Sequence, residues 1–249
     1  MNVSALAIEL VLITLAGAFV CLDRRGAFQL MISQPLVVVP VMGLALGDVG
    51  LGLWIGAILQ LLWVSNLQVG TNVPPNETTA AVVIGGMALL YQRHCVGVQC
   101  TPVGTDQVNM ALSALAVLIG APVSMVARSL DVRIDRANLS LVSRADEAAK
   151  AGAPRVITWL LFLGLARIFL SAVVVIAPAL IAGFAAIMVI DPILSGPLRR
   201  ALEVVGLYVI PALGFSVALS TLRRRRALVV AAASFVVALT VVMQQGEGV

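Results

Sequence analysis

Hydrophobic positions in this chain come in long runs, not in alternation, and polar residues gather between the runs. The first run, Val3 to Leu22, is long enough for one membrane-crossing helix, which needs about 20 apolar residues, and Glu9 interrupts it. A polar stretch, Asp23 to Gln34, follows. Two short apolar segments come next, Pro35 to Leu46 and Leu51 to about Ser65, separated by Gly47 and Asp48. Neither is long enough to span comfortably. Residues 66–79 then carry three asparagines, a glutamine, a glutamate and the pair Pro74-Pro75. Proline removes a backbone donor and restricts the residue before it, so this stretch predicts irregular backbone. Such a stretch is either an aqueous loop or irregular backbone at membrane depth, where it must be buried in protein or line a cavity, and the short flanking apolar segments favour the second.

Further on, Ala80 to Tyr91 is apolar and Val108 to Val126 predicts a good span. Arg128 to Arg155 is a hydrophilic connection whose middle, 143–153, has helical composition and suits the membrane surface. Val156 to Ile190 is expected to hold more than one element, with breaks at Pro178 and Gly183. Asp191-Pro192 and Gly196-Pro197 form a turn, Leu202 to Leu222 spans, and Arg223 to Arg226 precede a final span, Ala227 to Met243.

Composition sets the solvent. The chain is 61% hydrophobic and 11% charged, against roughly 25% charged in soluble domains. A soluble fold of this length lacks the polar groups to cover itself. In lipid every backbone N–H and C=O must be paired internally, and helices achieve this segment by segment. The expected fold is therefore an all-α integral membrane protein, a multi-span helical bundle with short broken or re-entrant segments in its N-terminal third. One membrane-embedded domain over residues 1–249 is expected. The basic residues, fifteen of sixteen of them arginine, lie at segment ends and in the central connection, as in cytoplasmic membrane loops. They form no basic face with interleaved aromatics, which argues against nucleic acid. Arg24 and Arg25 follow the first apolar run instead of preceding it, so the run reads as a retained span, not a signal peptide.

Little in the chain is suited to catalysis. His94 is the only histidine, and with Cys95 and Cys100 it lacks the spacing of a zinc site. Cys21 reads as packing, and a Cys95–Cys100 disulfide would suit an oxidising compartment. There is no phosphate-cradling GxxxxGK[ST] motif. Gly50, Gly52 and Gly56 read as close helix packing. Neither a metal nor a cofactor is expected. What stands out is polar residues at membrane depth: Gln29, Asp48, Gln60, Asn66, Gln68, Asn72, Asn76 and Glu77. Asp48 after Gly47 reads as a turn or helix cap. Amides beside a carboxylate supply donors and acceptors together, which suits a polyhydroxylated ligand. The competing reading for Asn72 and Asn76 is that they satisfy a turn's backbone.

At these residues the chain resembles the enzyme IIC subunit of the mannose/fructose/sorbose family of the bacterial phosphotransferase system. Phe28 to Leu36 resembles the family's Q-x-M-I-S-R-P-L segment, Gly43 to Asp48 its G-x-x-L-G-D, Gly52 to Leu61 its G-x-x-I-G-A-x-L-Q-L, and Val69 to Asn76 its V-G-x-x-x-P-P-D. Weaker likenesses follow at Ala145 to Gly152 and at Pro211 to Phe215. The resemblance implies a multi-pass sugar permease of the bacterial plasma membrane. It implies a IID membrane partner in a higher-order oligomer, and cytoplasmic IIA and IIB proteins that carry the phosphoryl group. It implies substrate contacts from Gln29, Gln68 and Asn76, with Glu77 adjacent; Asn72 joins them from the polar stretch itself. Gln34 stands where the family usually has arginine, Asn76 where many members have aspartate, and Trp159 or a neighbour where a histidine is common. These departures motivate an alternative, a regulatory membrane component that no longer moves sugar.

Overall fold

The computed structural model describes residues 3–27, 29–65, 73–94 and 109–221. Within them the chain is helical: α1 (Val3–Arg25), α2 (Pro35–Leu46), α3 (Val49–Trp63), α4 (Glu77–His94), α5 (Met110–Gly120), α6 (Val123–Lys150), α7 (Pro154–Ile193), α8 (Gly196–Val204) and α9 (Ile210–Thr221), the last two joined by a π-helical turn, Val205–Val209. Among the described residues, four helical stretches are long and apolar enough to cross a membrane: Val3–Arg25, Met110–Lys150, Pro154–Ile193 and Gly196–Ser220.

The core is built around α4. Every residue from Thr78 to Gln92 is buried. Its composition explains the position: small residues (Ala80, Ala81, Gly85, Gly86, Ala88) let neighbouring helices approach its axis closely. α1 and α7 run antiparallel beside it. Gly17 of α1 faces Ile176 of α7, and Gly26 faces Leu165 and Ile168. Gly86 of α4 seats Leu180 of α7 and Ile13 of α1.

α2 and α3 form a tight helical hairpin. At about 1.5 Å per residue they are roughly 18 and 22 Å long, well short of a roughly 30 Å hydrocarbon core. Gly47 closes α2 in the left-handed conformation (φ 91°), and its N–H bonds Gly43 O. Asp48 then caps α3, accepting from Leu51 N at 2.9 Å. The helices meet through glycines. A Cβ on Gly52 would lie 3.0 Å from Val39 O and 3.1 Å from Gly43 Cα, and one on Gly56 would lie 2.8 Å from Pro35 O. The expected cap and the expected small-residue packing are both present.

One expectation is corrected. Val156 to Ile190 lies within one helix, α7, which continues through Pro178 and Gly183. Pro178 removes one donor, but a break in lipid would leave several backbone groups unpaired, and packing against α1 and α4 holds the helix together. The described part of the expected span Val108 to Val126 lies, from Met110 on, in the membrane-crossing stretch Met110–Lys150, with a turn at Ala121-Pro122 between α5 and α6. Around the start of the hydrophilic connection Ala127 and Asp131 of α6 are buried, while its middle, 143–153, is mostly exposed. α6 then runs on as a polar helix, turns at Gly152 (φ 64°), and α7 begins with Pro154 in its first turn, where a missing N–H costs nothing.

The polar clusters fall at the two ends of α4, about 27 Å apart by helix rise. Arg24, Arg25, Arg128, Arg133, Arg136, Arg144, Lys150, Arg155 and Arg167 lie at or beyond the end that carries Glu77, against Arg93, Arg199 and Arg200 at the other. The bias of Lys and Arg toward the cytoplasm places the Glu77 end inside.

Candidate functional site

The cytoplasmic end of α4 gathers charged and amide groups from three helices and two loops. α1 ends in Asp23-Arg24-Arg25. The loop after it folds back on Asp23, whose carboxylate accepts from Leu30 N at 2.6 Å and Ser33 N at 3.1 Å. Within that loop Gln29 (φ 52°) and Met31 (φ 60°) are left-handed, a conformation uncommon outside glycine. Thr78 at the start of α4 ties the loop down, donating to Ser33 O at 3.0 Å.

Asn76 is 3% exposed and fully engaged. Its Oδ1 accepts from Thr79 N at 3.0 Å, which caps α4. Its Nδ2 donates to Asp131 Oδ2 at 2.8 Å, and its own N–H bonds Ser124 O at 3.1 Å. Asp131 also pairs with Arg25 at 2.9 Å, and Arg25 pairs in turn with Asp135. Arg24 binds Glu77 at 2.9 Å and donates to Pro75 O at 3.2 Å, a carbonyl that also accepts from Glu77 N at 3.1 Å. Cys21 Sγ lies 3.5 Å from Thr79 Oγ1. Asn76, Asp131, Arg25 and Thr79 line a small internal cavity that Ser171 of α7 also borders.

Of the predicted site residues, Asn76 and Glu77 enter this one network. Gln29 stands in the adjoining loop with its side chain exposed. Gln68, Asn72 and Asn66 lie outside the described residues, as do Cys95 and Cys100. Gln60 Nε2 donates to Gln34 Oε1 at 2.9 Å, joining two matched segments near their ends. Cys21 is buried among the helices, as expected of a packing residue. Sequence reasoning missed Arg24, Arg25 and Asp131. The first two read as flanking charges. Asp131 and Asp135 have the i, i+4 spacing that puts two side chains on one helix face, but in a stretch with many charges that signal does not single them out.

The other end of α4 explains two isolated polar residues. Glu9 accepts from Arg93 at 2.9 Å and lies 2.6 Å from His94 Nε2. Tyr91 donates to Asp191 at 2.5 Å, and Arg199 pairs with the same carboxylate at 2.6 Å. An acidic residue inside a span is costly unless paired, and both are paired.

With the geometry in place, comparison with known proteins fixes the class. The sequence model of the family described as the PTS system sorbose-specific IIC component matches residues 7–245, and the chain belongs to that family. The PTS system mannose-specific EIIC component of Escherichia coli (strain K12) is 24% identical over 244 residues, covering 96% of this chain and 82% of that one. The component of the same name from Shigella flexneri matches with the same values. A solved chain described as the structure of a membrane protein shares the fold, with a TM-score of 0.60 at 20% identity over 95% of this chain and 92% of that one. The protein is thus a multi-pass inner-membrane sugar-transport subunit of a phosphotransferase system, as its sequence motifs implied.

Proposed function

We propose that this subunit binds a hexose-type sugar at the cytoplasmic end of α4 and passes it inward for phosphorylation by partner proteins. The observation that carries the reading is the family match across residues 7–245. The chemistry of the cluster supports the location. A sugar offers hydroxyls that both donate and accept, and the cluster supplies an amide (Asn76), carboxylates (Glu77, Asp131) and guanidinium groups (Arg24, Arg25) within one network. Gln29 borders it, and Gln68 and Asn72 belong to the same matched segment of sequence. Because each polar group is already bonded to protein, binding requires exchange: sugar hydroxyls replace protein partners as the 73–76 segment shifts.

The partners follow from the family. A IID subunit shares the membrane, and IIA and IIB carry the phosphoryl group on their own histidines. His94 is occupied with Glu9 at the opposite end of α4, so phosphoryl transfer does not pass through this chain. Equilibrium binding of radiolabelled mannose, fructose and sorbose to the purified complex tests the site. Asp131→Asn and Glu77→Gln each remove a charged hydrogen-bond partner, worth about 1.5–3 kcal/mol. Each is expected to weaken binding of one of these sugars about tenfold or more. Unchanged affinity in both variants would place the site elsewhere.

A further inference from the structure

The apolar run of α7 from Val156 to Ile190 carries a single charge, Arg167. After it, Ile168 to Ile190 hold no charged side chain, and Asp191 follows. At about 1.5 Å per residue this stretch extends roughly 34 Å, which crosses the roughly 30 Å hydrocarbon core with a small tilt. Asp191, paired with Arg199, stands at the outer border. Arg167 stands at the cytoplasmic border. It is level with the end of α1, because Leu165 and Ile168 lie against Gly26.

Arg167 is half-buried against α6. Its Nη1 donates to Ala137 O at 3.0 Å and to Asn138 Oδ1 at 3.3 Å, and both partners are neutral. Arg24, Arg25, Arg93 and Arg199 each sit on a carboxylate. Among the described residues Arg167 has none, and the Nε and Nη2 edge of its guanidinium has no protein partner. That edge is able to take two oxygens of one phosphate side by side. A second cation lies on the same flank of α6: Arg133, one turn before Ala137 and exposed. The acids of this part of α6, Asp131 and Asp135, lie on the opposite flank and are held by Arg25.

Toward the membrane centre from Arg167, α7 is bare along one stripe. Leu170, Val174 and Ile181 are 60%, 64% and 55% exposed. They follow Arg167 at i+3, i+7 and i+14, which sets them on one side of the helix. At this depth an uncovered apolar stripe meets acyl chains. A cation at the border with an apolar stripe beneath it fits a ligand with phosphate at one end and hydrocarbon at the other. We propose that Arg167, with Arg133 on the facing flank of α6, holds the phosphate of an anionic phospholipid of the inner leaflet, and that the acyl chains of this lipid lie along Leu170, Val174 and Ile181. Zwitterionic lipids answer their own phosphate with an ammonium group. Two cations without a carboxylate favour a headgroup with net negative charge, and the cytoplasmic leaflet supplies one.

The test is photolabelling of the purified complex in phosphatidylcholine vesicles that contain a trace of phosphatidylglycerol with a diazirine in its acyl chain. Adducts are expected on α7 between Leu170 and Ile181. Unlabelled phosphatidylglycerol should suppress them and extra phosphatidylcholine should not. Arg167→Gln should lower the yield about fivefold or more, as the loss of one cation near an anionic headgroup implies, while Arg167→Lys keeps most of it. Suppression by phosphatidylcholine would show ordinary solvation by lipid and overturn the proposal. Suppression by inorganic phosphate would show a site for a free anion and overturn it too. So would equal yield in Arg167→Gln, or no adduct in this stretch, the result if another subunit covers the stripe. Thermal unfolding in detergent checks that each variant is folded, and the competition between lipids on the wild-type complex decides the question without any variant.

Discussion

At the residue scale, the cytoplasmic cluster is an accounting of buried charge. Arg24 is paired with Glu77 at 2.9 Å and lies 3.9 Å from Asp131, with side chains 7%, 15% and 9% exposed. Removing one partner of a buried pair leaves the other uncompensated, which costs about 3–5 kcal/mol. Arg24→Met should therefore lower thermal stability in detergent sharply, and adding Glu77→Gln should recover part of the loss. Additive losses would show that the pair contributes little. Asn76 holds a second constraint. Asn76→Asp keeps an acceptor for Thr79 N but sets a carboxylate against Asp131, and like charges that close cannot both ionise at low cost. Asn76→Asp is expected to be less stable than wild type, and Asp131→Asn in that background to restore most of the difference, as read by unfolding temperature.

At the scale of elements, the hairpin of α2 and α3 depends on absent side chains. The atoms a Cβ at Gly52 would meet are backbone atoms of Val39, Gly43 and Pro40, which cannot rotate aside. Gly52→Val should cost about 1–3 kcal/mol or more by overpacking. At Gly196 a Cβ meets nothing within 4 Å, and Gly196→Ala should be near neutral. Equal effects at the two positions would contradict the packing. These elements also show what was legible beforehand. The short α2 and α3, the cap at Asp48 and the glycine contacts followed from run length and spacing, because local rules decide them. The single helix α7 did not follow. Pro178 and Gly183 are local signals for a break, and what overrides them is tertiary: packing on α1 and α4, and the cost of unpaired backbone in lipid. Asp131 was hidden for the same reason. Its composition says solvent, and only the approach of Arg25 and Asn76 from distant segments buries it.

At the scale of the whole molecule, the distribution of arginine orients the bundle. A single cysteine introduced at Lys150, the exposed end of α6, should react with a membrane-impermeant thiol reagent only after the cells are opened, the native cysteines having been replaced by serine or alanine. Labelling in intact cells would reverse the orientation and put the proposed site on the wrong side for phosphorylation by cytoplasmic proteins.

The proposed function is that this chain moves sugar inward for phosphorylation from a site at the cytoplasmic end of α4. The most direct measurement is uptake of radiolabelled hexoses into cells expressing the chain with its IID, IIA and IIB partners, wild type against Asn76→Ala. The account predicts label accumulating as sugar phosphate, falling about tenfold or more in the variant, as loss of a buried hydrogen bond to a charged group implies. Wild-type uptake in an assembled, correctly folded Asn76→Ala complex would contradict the site, and no uptake of any hexose by the assembled wild-type complex would contradict the claim.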